Sequence, residues 1–180
     1  MFFWQPPSCF SPWTSSRFTI DGTSYFCAEQ YFVAEKSCLF GDYHALQKIM
    51  RVSNPTLHKQ YGRQIRNFDA VVWEREQESI VLVGSYAKFT RNAAMRQHLL
   101  GTGDRLLAEA NPYDTIWGIG YRVDHRNALC PPRVARPQPV GKSPADRAPA
   151  PPRPRSAADG PPTCFSPARR FARARSRLHF

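Results

Sequence analysis

Twelve of the seventeen prolines in this 180-residue sequence lie at or beyond Pro131, and that segregation decides which part of the chain can build a core. Proline fixes φ and has no backbone donor, so closely spaced prolines sustain neither a helix nor a sheet. The run PPRVARPQPVGKSPADRAPAPPRPRSAADGPP also lacks apolar periodicity. It cannot bury enough surface to offset its conformational entropy. The expected organisation is therefore a folded domain over residues 1–130 and a disordered Pro/Arg-rich tail over 131–180. The ending ARRFARARSRLHF has the composition of a short basic helix on an anionic partner, although Arg-rich ends are more often simply solvated.

The formal charge of +11 divides in the same way. Residues 131–180 carry eleven Lys and Arg against Asp146 and Asp159, a net of +9, which leaves 14 against 12, or +2, for residues 1–130. The basicity belongs to the tail and says little about the partner of the domain. Five cysteines with no C-x-x-C pair argue against a disulfide framework or a structural zinc site and for a reducing compartment. The five histidines show no metal-ligand spacing. The opening MFFWQPP has neither a basic region nor the apolar stretch of a signal peptide, and nothing approaches the ~20 apolar residues of a membrane span. We expect an intracellular protein, cytoplasmic or nuclear, with no membrane partner.

Within the first 130 residues, SRFTIDGTSYF alternates apolar and polar side chains around Asp21-Gly22, a dipeptide suited to a hairpin turn. A helical pattern runs from Ala28 through Lys36 toward Leu39. Tyr43, Leu46, Ile49 and Met50 mark a second helix, and Asn54-Pro55 starts a third. AVVWEREQESIVLVGSYAKFTRN is long enough for one helix carrying Trp73, Ile80, Val83, Ala87 and Phe89, although SIVLV has strand propensity. AAMRQHLLGTG predicts a helix closed by Gly101, with Thr102 as the N-cap of a further short helix through Ala110. NPYDTIWGIG is turn-rich and irregular. The fold class expected is α+β: a mostly helical single domain with a short β-ribbon or small sheet.

Three clusters carry candidate chemistry. In CAEQYFVAEK, Glu29 and Lys36 are seven residues apart, which on a helix puts them on one face about 10 Å apart along the axis. That is too far for a helical ion pair, which forms at i,i+3 or i,i+4. An isolated charge is usually just solvated. A lysine in aromatic company can instead have a lowered pKa and act as a nucleophile or base, and a carboxylate there can retain a proton and act as an acid. In PYDTIWGIG, Trp117 offers a stacking face, Gly118 and Gly120 permit close backbone approach, and Asp114 is suited to sugar hydroxyls or to a developing positive charge. The bland alternative is a tight glycine turn with a core tryptophan. In GRQIR, Arg63 and Arg66 are suited to phosphate.

The succession of F-W near the start, EQYFVAEK, YGRQIR, VVW, AKFTRN and LLGTGDRLLAEANPYDTIWGIG resembles the NADAR or YbiA-like superfamily over about residues 2–130. The resemblance implies an N-glycosidase of α+β fold, without metal or redox cofactor, that cleaves the bond between ribose C1 and a base or amine nitrogen. The substrates implied are a phosphoribosylamino-pyrimidine or ADP-ribose on guanine in DNA or RNA. Carried onto this chain, Lys36 matches the lysine that attacks C1, and Glu29 the acid–base carboxylate. Asp114, Trp73 and Trp117 match pocket positions, and Arg63 a phosphate contact. Trp4 and Tyr31 lie in the same motifs and join the substrate-binding set with Gly118 and Gly120. The chain departs from the family pattern at Gln30, where a histidine is common, and at NALCPPR, where a Leu-rich helix usually follows. The competing expectation is a non-catalytic module that binds ADP-ribose or a nucleotide.

Overall fold

A computed structural model describes residues 1–129, which form two units: one over Met1–Leu107 and one beginning at Ala108. The stretch expected to be a disordered tail lies outside the described residues. The first unit opens with β1 (Phe2–Phe3) and a long irregular segment, then a hairpin of β2 (Phe18–Ile20) and β3 (Thr23–Tyr25). The two strands are antiparallel, with Phe18 opposite Tyr25 and Ile20 opposite Thr23. Asp21 and Gly22 both take positive φ, 47° and 80°, as a two-residue turn between right-twisted strands requires.

Five helices follow, and the first is the hub. Helix α1 (Ala28–Leu39) buries Ala28, Gln30, Tyr31, Val33, Ala34, Glu35 and Ser37, a set that covers most of its circumference. It packs against β3, α2 (Tyr43–Arg51), α3 (Pro55–Arg63) and α4 (Ala70–Arg91). A helix enclosed in this way must satisfy its polar groups internally. Gln30 does so completely: its Oε1 accepts from Phe26 N–H at 2.7 Å, and its Nε2 donates to the carbonyls of Ile49 and Val52, each at 3.0 Å. One amide thus ties the hairpin exit to the end of α2.

Local sequence sets the helix starts. The Asp42 carboxylate accepts from Ala45 N–H, Asn54 caps α3 with Pro55 in its first turn, and Asp69 accepts from the N–H groups of Val71 and Val72. The strand propensity of SIVLV is overridden because Ile80, Gly84 and Ala87 form a helical stripe buried against the core, while Leu82 and Tyr86 face outward. Helix α5 (Ala93–Leu100) ends at Gly101 as expected. The short helix expected from Thr102 does not form. The Thr102 hydroxyl donates back to the Leu99 carbonyl at 2.7 Å, and Gly103 follows at φ 56°, so the residue closes α5 instead of opening a new helix.

The second unit, as far as it is described, is the expected irregular loop region. It contains β4 (Ala108–Glu109) and a single parallel bridge between Glu109 and Gly118. Cys9 and Cys27 are free thiols. Among the described residues no helix is long and apolar enough to cross a membrane.

Close helix approach depends on two glycines. A Cβ on Gly62 would meet Val33 Cγ1 at 2.6 Å, and one on Gly84 would run into the rings of Tyr31 and Phe32. Gly84→Ala should therefore lower stability by about 1–3 kcal/mol through overpacking. A shift in the urea unfolding midpoint measures this, and an unchanged midpoint would show that α4 does not sit so close to Tyr31.

Candidate active site

The end of α1 presents Lys36 to an aromatic recess. Its Nζ donates to the Gly62 carbonyl at 3.2 Å and lies 4.3 Å from the Phe68 ring centroid and 5.1 Å from that of Trp73. Gly62 is in the last turn of α3, Trp73 in the first turns of α4, and Phe68 on the loop joining those helices. One continuous stretch, residues 62–73, distant in sequence from Lys36, thus wraps the amine. Burial pushes the Lys36 pKa below its ordinary value, because removal of water penalises the ammonium more than the neutral amine. The ring faces act in the opposite sense by attracting the cation. The group is a half-buried amine beside two aromatic rings and one carbonyl.

The other expected residues divide by location. Trp73 meets Lys36 directly. Arg63 is the neighbour of Gly62 in sequence, with an exposed side chain. Glu29 lies half-buried in the first turn of α1, about 10 Å along the axis from Lys36, and its backbone N–H donates to the Pro12 carbonyl at 3.0 Å. Trp4 is half-buried just past β1. Tyr31 does not line a recess. It is 1% exposed, with its ring edge-on to Tyr25 at 5.1 Å and close against Gly84, so helical spacing placed it on the core face.

Asp114, Trp117, Gly118 and Gly120 share one loop of the second unit. Asp114 Oδ1 accepts from the N–H groups of Ile116 and Trp117 at 2.9 and 3.0 Å, and the Asp114 carbonyl accepts from Gly120 N–H at 3.2 Å. Trp117 is 46% exposed. The glycines serve the loop itself: a Cβ on Gly118 would meet the Asp114 carbonyl at 2.7 Å, and Gly120 holds φ at 72°. Phe68 escaped the sequence reading. It sits in the connection between α3 and α4, outside any periodic segment, so no local pattern marked it.

Against this geometry the comparisons can be stated. Residues 2–136 match the NADAR domain. The chain belongs to the NADAR domain family. The NADAR chain is 43% identical over 96 residues to N-glycosidase R617 of Acanthamoeba polyphaga mimivirus, which covers 53% of this chain and 56% of that protein. It is 33% identical to Protein irg-1 of Caenorhabditis elegans over 57% of this chain and 50% of that protein. It therefore spans about half the length of each of these two relatives. N-glycosidase YbiA of Shigella flexneri is 31% identical over 67% of this chain and 73% of its own. The NMR structure of the Escherichia coli protein YbiA is similar in fold, with a TM-score of 0.59 and 29% identity over 67% of this chain and 71% of that one.

A second lysine of the NADAR chain is buried more deeply and serves the fold. Lys88 is 2% exposed and donates from Nζ to the Ser11 carbonyl at 2.7 Å, which pins the irregular N-terminal segment to α4. Burial lowers its pKa from 10.5 to about 8. Nearby Cys27 is buried too, and its thiol is pushed up from 9.0 to about 11. Its Sγ lies 3.8 Å from Nδ1 of buried His58, whose Nε2 donates to the Val52 carbonyl at 2.9 Å.

These shifts set a pH dependence of stability. Between about pH 8 and 10.5 the unfolded chain keeps the Lys88 proton that the folded chain has lost, so stability rises with pH, on the order of 3 kcal/mol across the whole interval. Between pH 9.0 and about 11 Cys27 acts in reverse, because the folded chain retains a proton that the unfolded chain releases. Urea midpoints should therefore rise from about pH 8 to 9 and level off above. Lys88→Met should flatten the rise, and a rise that survives that substitution would assign it to other groups.

Proposed function

We propose that this chain is an N-glycosidase that hydrolyses the ribose C1–N bond of a ribosylated nucleotide, with Lys36 as its nucleophile. The observation that carries this reading is the Lys36 amine, half-buried between Phe68 and Trp73 with its pKa lowered by burial. An ordinary lysine near neutral pH is almost wholly protonated and has no lone pair to donate. Lowering the pKa enlarges the neutral fraction, and the amine then competes as a nucleophile. The names of the viral and Shigella relatives support the reaction class.

The step balances without an external reactant other than water. The neutral Lys36 amine attacks C1 as the C1–N bond breaks, and the departing nitrogen takes its electron pair and a proton from Glu29. A proton passes from the adduct nitrogen to the ring oxygen as the C1–O bond breaks, which opens the sugar to a protonated Schiff base between Lys36 and C1. Water adds to C1, the C1–N bond to Lys36 breaks, the free sugar and neutral amine are released, and the proton set free returns to Glu29. The net change is addition of one water across the glycosidic bond. Positive charge develops on the ribose during the first step, which suits the aromatic faces beside Lys36. Arg63, next to Gly62 in sequence and exposed, supplies a contact for phosphate.

Two substrate classes fit this chemistry: ADP-ribose joined to guanine in nucleic acid, and a phosphoribosylamino-pyrimidine. Mass spectrometry should detect free ADP-ribose released from guanine-ADP-ribosylated DNA by the parent chain, and Lys36→Ala should reduce release by at least a thousandfold. Borohydride should trap a covalent sugar adduct on Lys36 in the parent. Release that survives Lys36→Ala would exclude the covalent route. Tight binding of ADP-ribose with no turnover by a folded parent would make the protein a binding module. The rate should also climb with pH through the lowered pKa of Lys36, because only the neutral amine attacks.

A further inference from the structure

We propose that Asp42 and Arg66 are positioning residues for the Lys36 amine, because their paired side chains fix the loop that holds Phe68 over it. The inference rests on the reading of Lys36 as the reactive group, and it concerns residues one step removed from the reacting atoms.

The argument starts at the end of α1. Phe40 ends the helix one turn after Lys36, its N–H donating to the Lys36 carbonyl at 3.2 Å. Gly41 then reverses the chain at φ 69°, and Asp42 opens α2 with its N–H on the Ser37 carbonyl at 2.9 Å. The Asp42 carboxylate is therefore fixed relative to Lys36 by α1 itself. It is only 3% exposed and accepts four hydrogen bonds. Its Oδ1 takes Ala45 N–H at 3.1 Å and Arg66 Nη2 at 2.9 Å, and its Oδ2 takes Arg66 N–H at 2.9 Å and Arg66 Nε at 3.2 Å.

Three of those four bonds reach into the connection between α3 and α4. That connection is short and over-determined: Ile65 is buried in the core, Arg66 is held by Asp42, Asn67 turns the chain at φ 57°, and Asp69 caps α4. Phe68 lies between the last two. Its ring is 47% exposed, so core packing alone does not explain its place. It stands 5.2 Å from the Phe40 ring and 4.3 Å from Lys36 Nζ, both on the same end of α1 that carries Asp42. The Asp42–Arg66 pair closes a loop of structure: α1 positions Asp42, Asp42 holds Arg66, and Arg66 presents Phe68 to Lys36.

The pair suits this role better than a role in bulk stability. Arg66 is 68% exposed, and an ion pair with so exposed a partner contributes little on average. What its fork does supply is direction, because two guanidinium nitrogens and the backbone N–H bind one carboxylate in a single geometry. Arg66 pulls the Asp42 carboxyl well below the usual carboxylate range, so the tether persists through mildly acidic pH.

The test reads the amine and needs no substrate. The full chain is labelled with a small amine-reactive reagent across pH, and peptide mass spectrometry follows Lys36, exposed Lys48 and buried Lys88 separately. Asp42→Asn keeps the N-cap acceptor for Ala45 but removes the charge that holds Arg66. In this variant and in Arg66→Gln, Lys36 should label several-fold faster at the high-pH plateau, and its midpoint should move up toward the ordinary lysine value as burial is relieved. Phe68→Leu should do the same and Phe68→Tyr should stay near the parent. Lys48 and Lys88 should not change. Parent-like labelling of Lys36 in Arg66→Gln would overturn the proposal. If Asp42→Asn also exposes Lys88, the fold has opened and Arg66→Gln decides, since its exposed side chain leaves the core intact. Loss of turnover in Arg66→Gln with unchanged labelling would reject the tether while leaving the glycosidase reading in place. Faster labelling in a chain whose parent shows no turnover would do the reverse.

Discussion

The structure depends on the enclosure of α1. A helix surrounded by a hairpin and three other helices can approach its neighbours closely only where they carry no side chain. Gly62 on α3 and Gly84 on α4 supply those two points, against Val33 and Tyr31. The same enclosure forces every polar group on the helix to find a partner. Gln30 achieves this with two backbone carbonyls and one N–H, and Ser37 by donating to the Val33 carbonyl at 2.9 Å. Because α1 is immobilised on so many sides, a group at its end inherits a fixed position. Lys36 is that group.

Two lysines illustrate how position divides roles between residues of one type. Lys88 is sealed, and its ammonium satisfies a carbonyl of a segment that has no strand or helix of its own. Its lowered pKa is a cost of folding. Lys36 is only half-buried, and it balances a carbonyl and two ring faces that favour the cation against burial that disfavours it. A half-buried amine stays within reach of a ligand, which suits chemistry more than a sealed one does. Neighbouring Ser11 and Pro12 accept from Lys88 and from Glu29 N–H respectively, so the segment pinned by the structural lysine also meets the helix turn that carries Glu29.

The loop around Asp114 follows a different logic. It has almost no regular structure, yet its turns are held by Asp114 itself, by Asn111 accepting from Tyr113 N–H at 3.0 Å, and by two glycines whose conformation or space admits no side chain. An irregular segment that satisfies its own backbone can present Trp117 to solvent without a supporting sheet. The price of that self-sufficiency is that much of Asp114 is occupied within its own turn.

Local pattern by itself determined the hairpin at Asp21-Gly22, the caps at Asn54 and Gly101, the course of each long helix, and the placement of Lys36 and Trp73 in motifs of the family. These follow from short-range rules: turn dihedrals, capping and a 3.6-residue period act between neighbours in the chain. The same rules misassigned Thr102, because a hydroxyl after a glycine serves equally well to close one helix or to open another. The family motif set Tyr31 among the substrate contacts, whereas its ring is packed in the core. Only the tertiary structure decided that Phe68 and the Gly62 carbonyl meet the Lys36 amine, that Asp42 is joined to Arg66, and that Lys88 is buried. Each of these joins residues more than twenty positions apart. Their partners are chosen by how the helices pack, which no local spacing encodes.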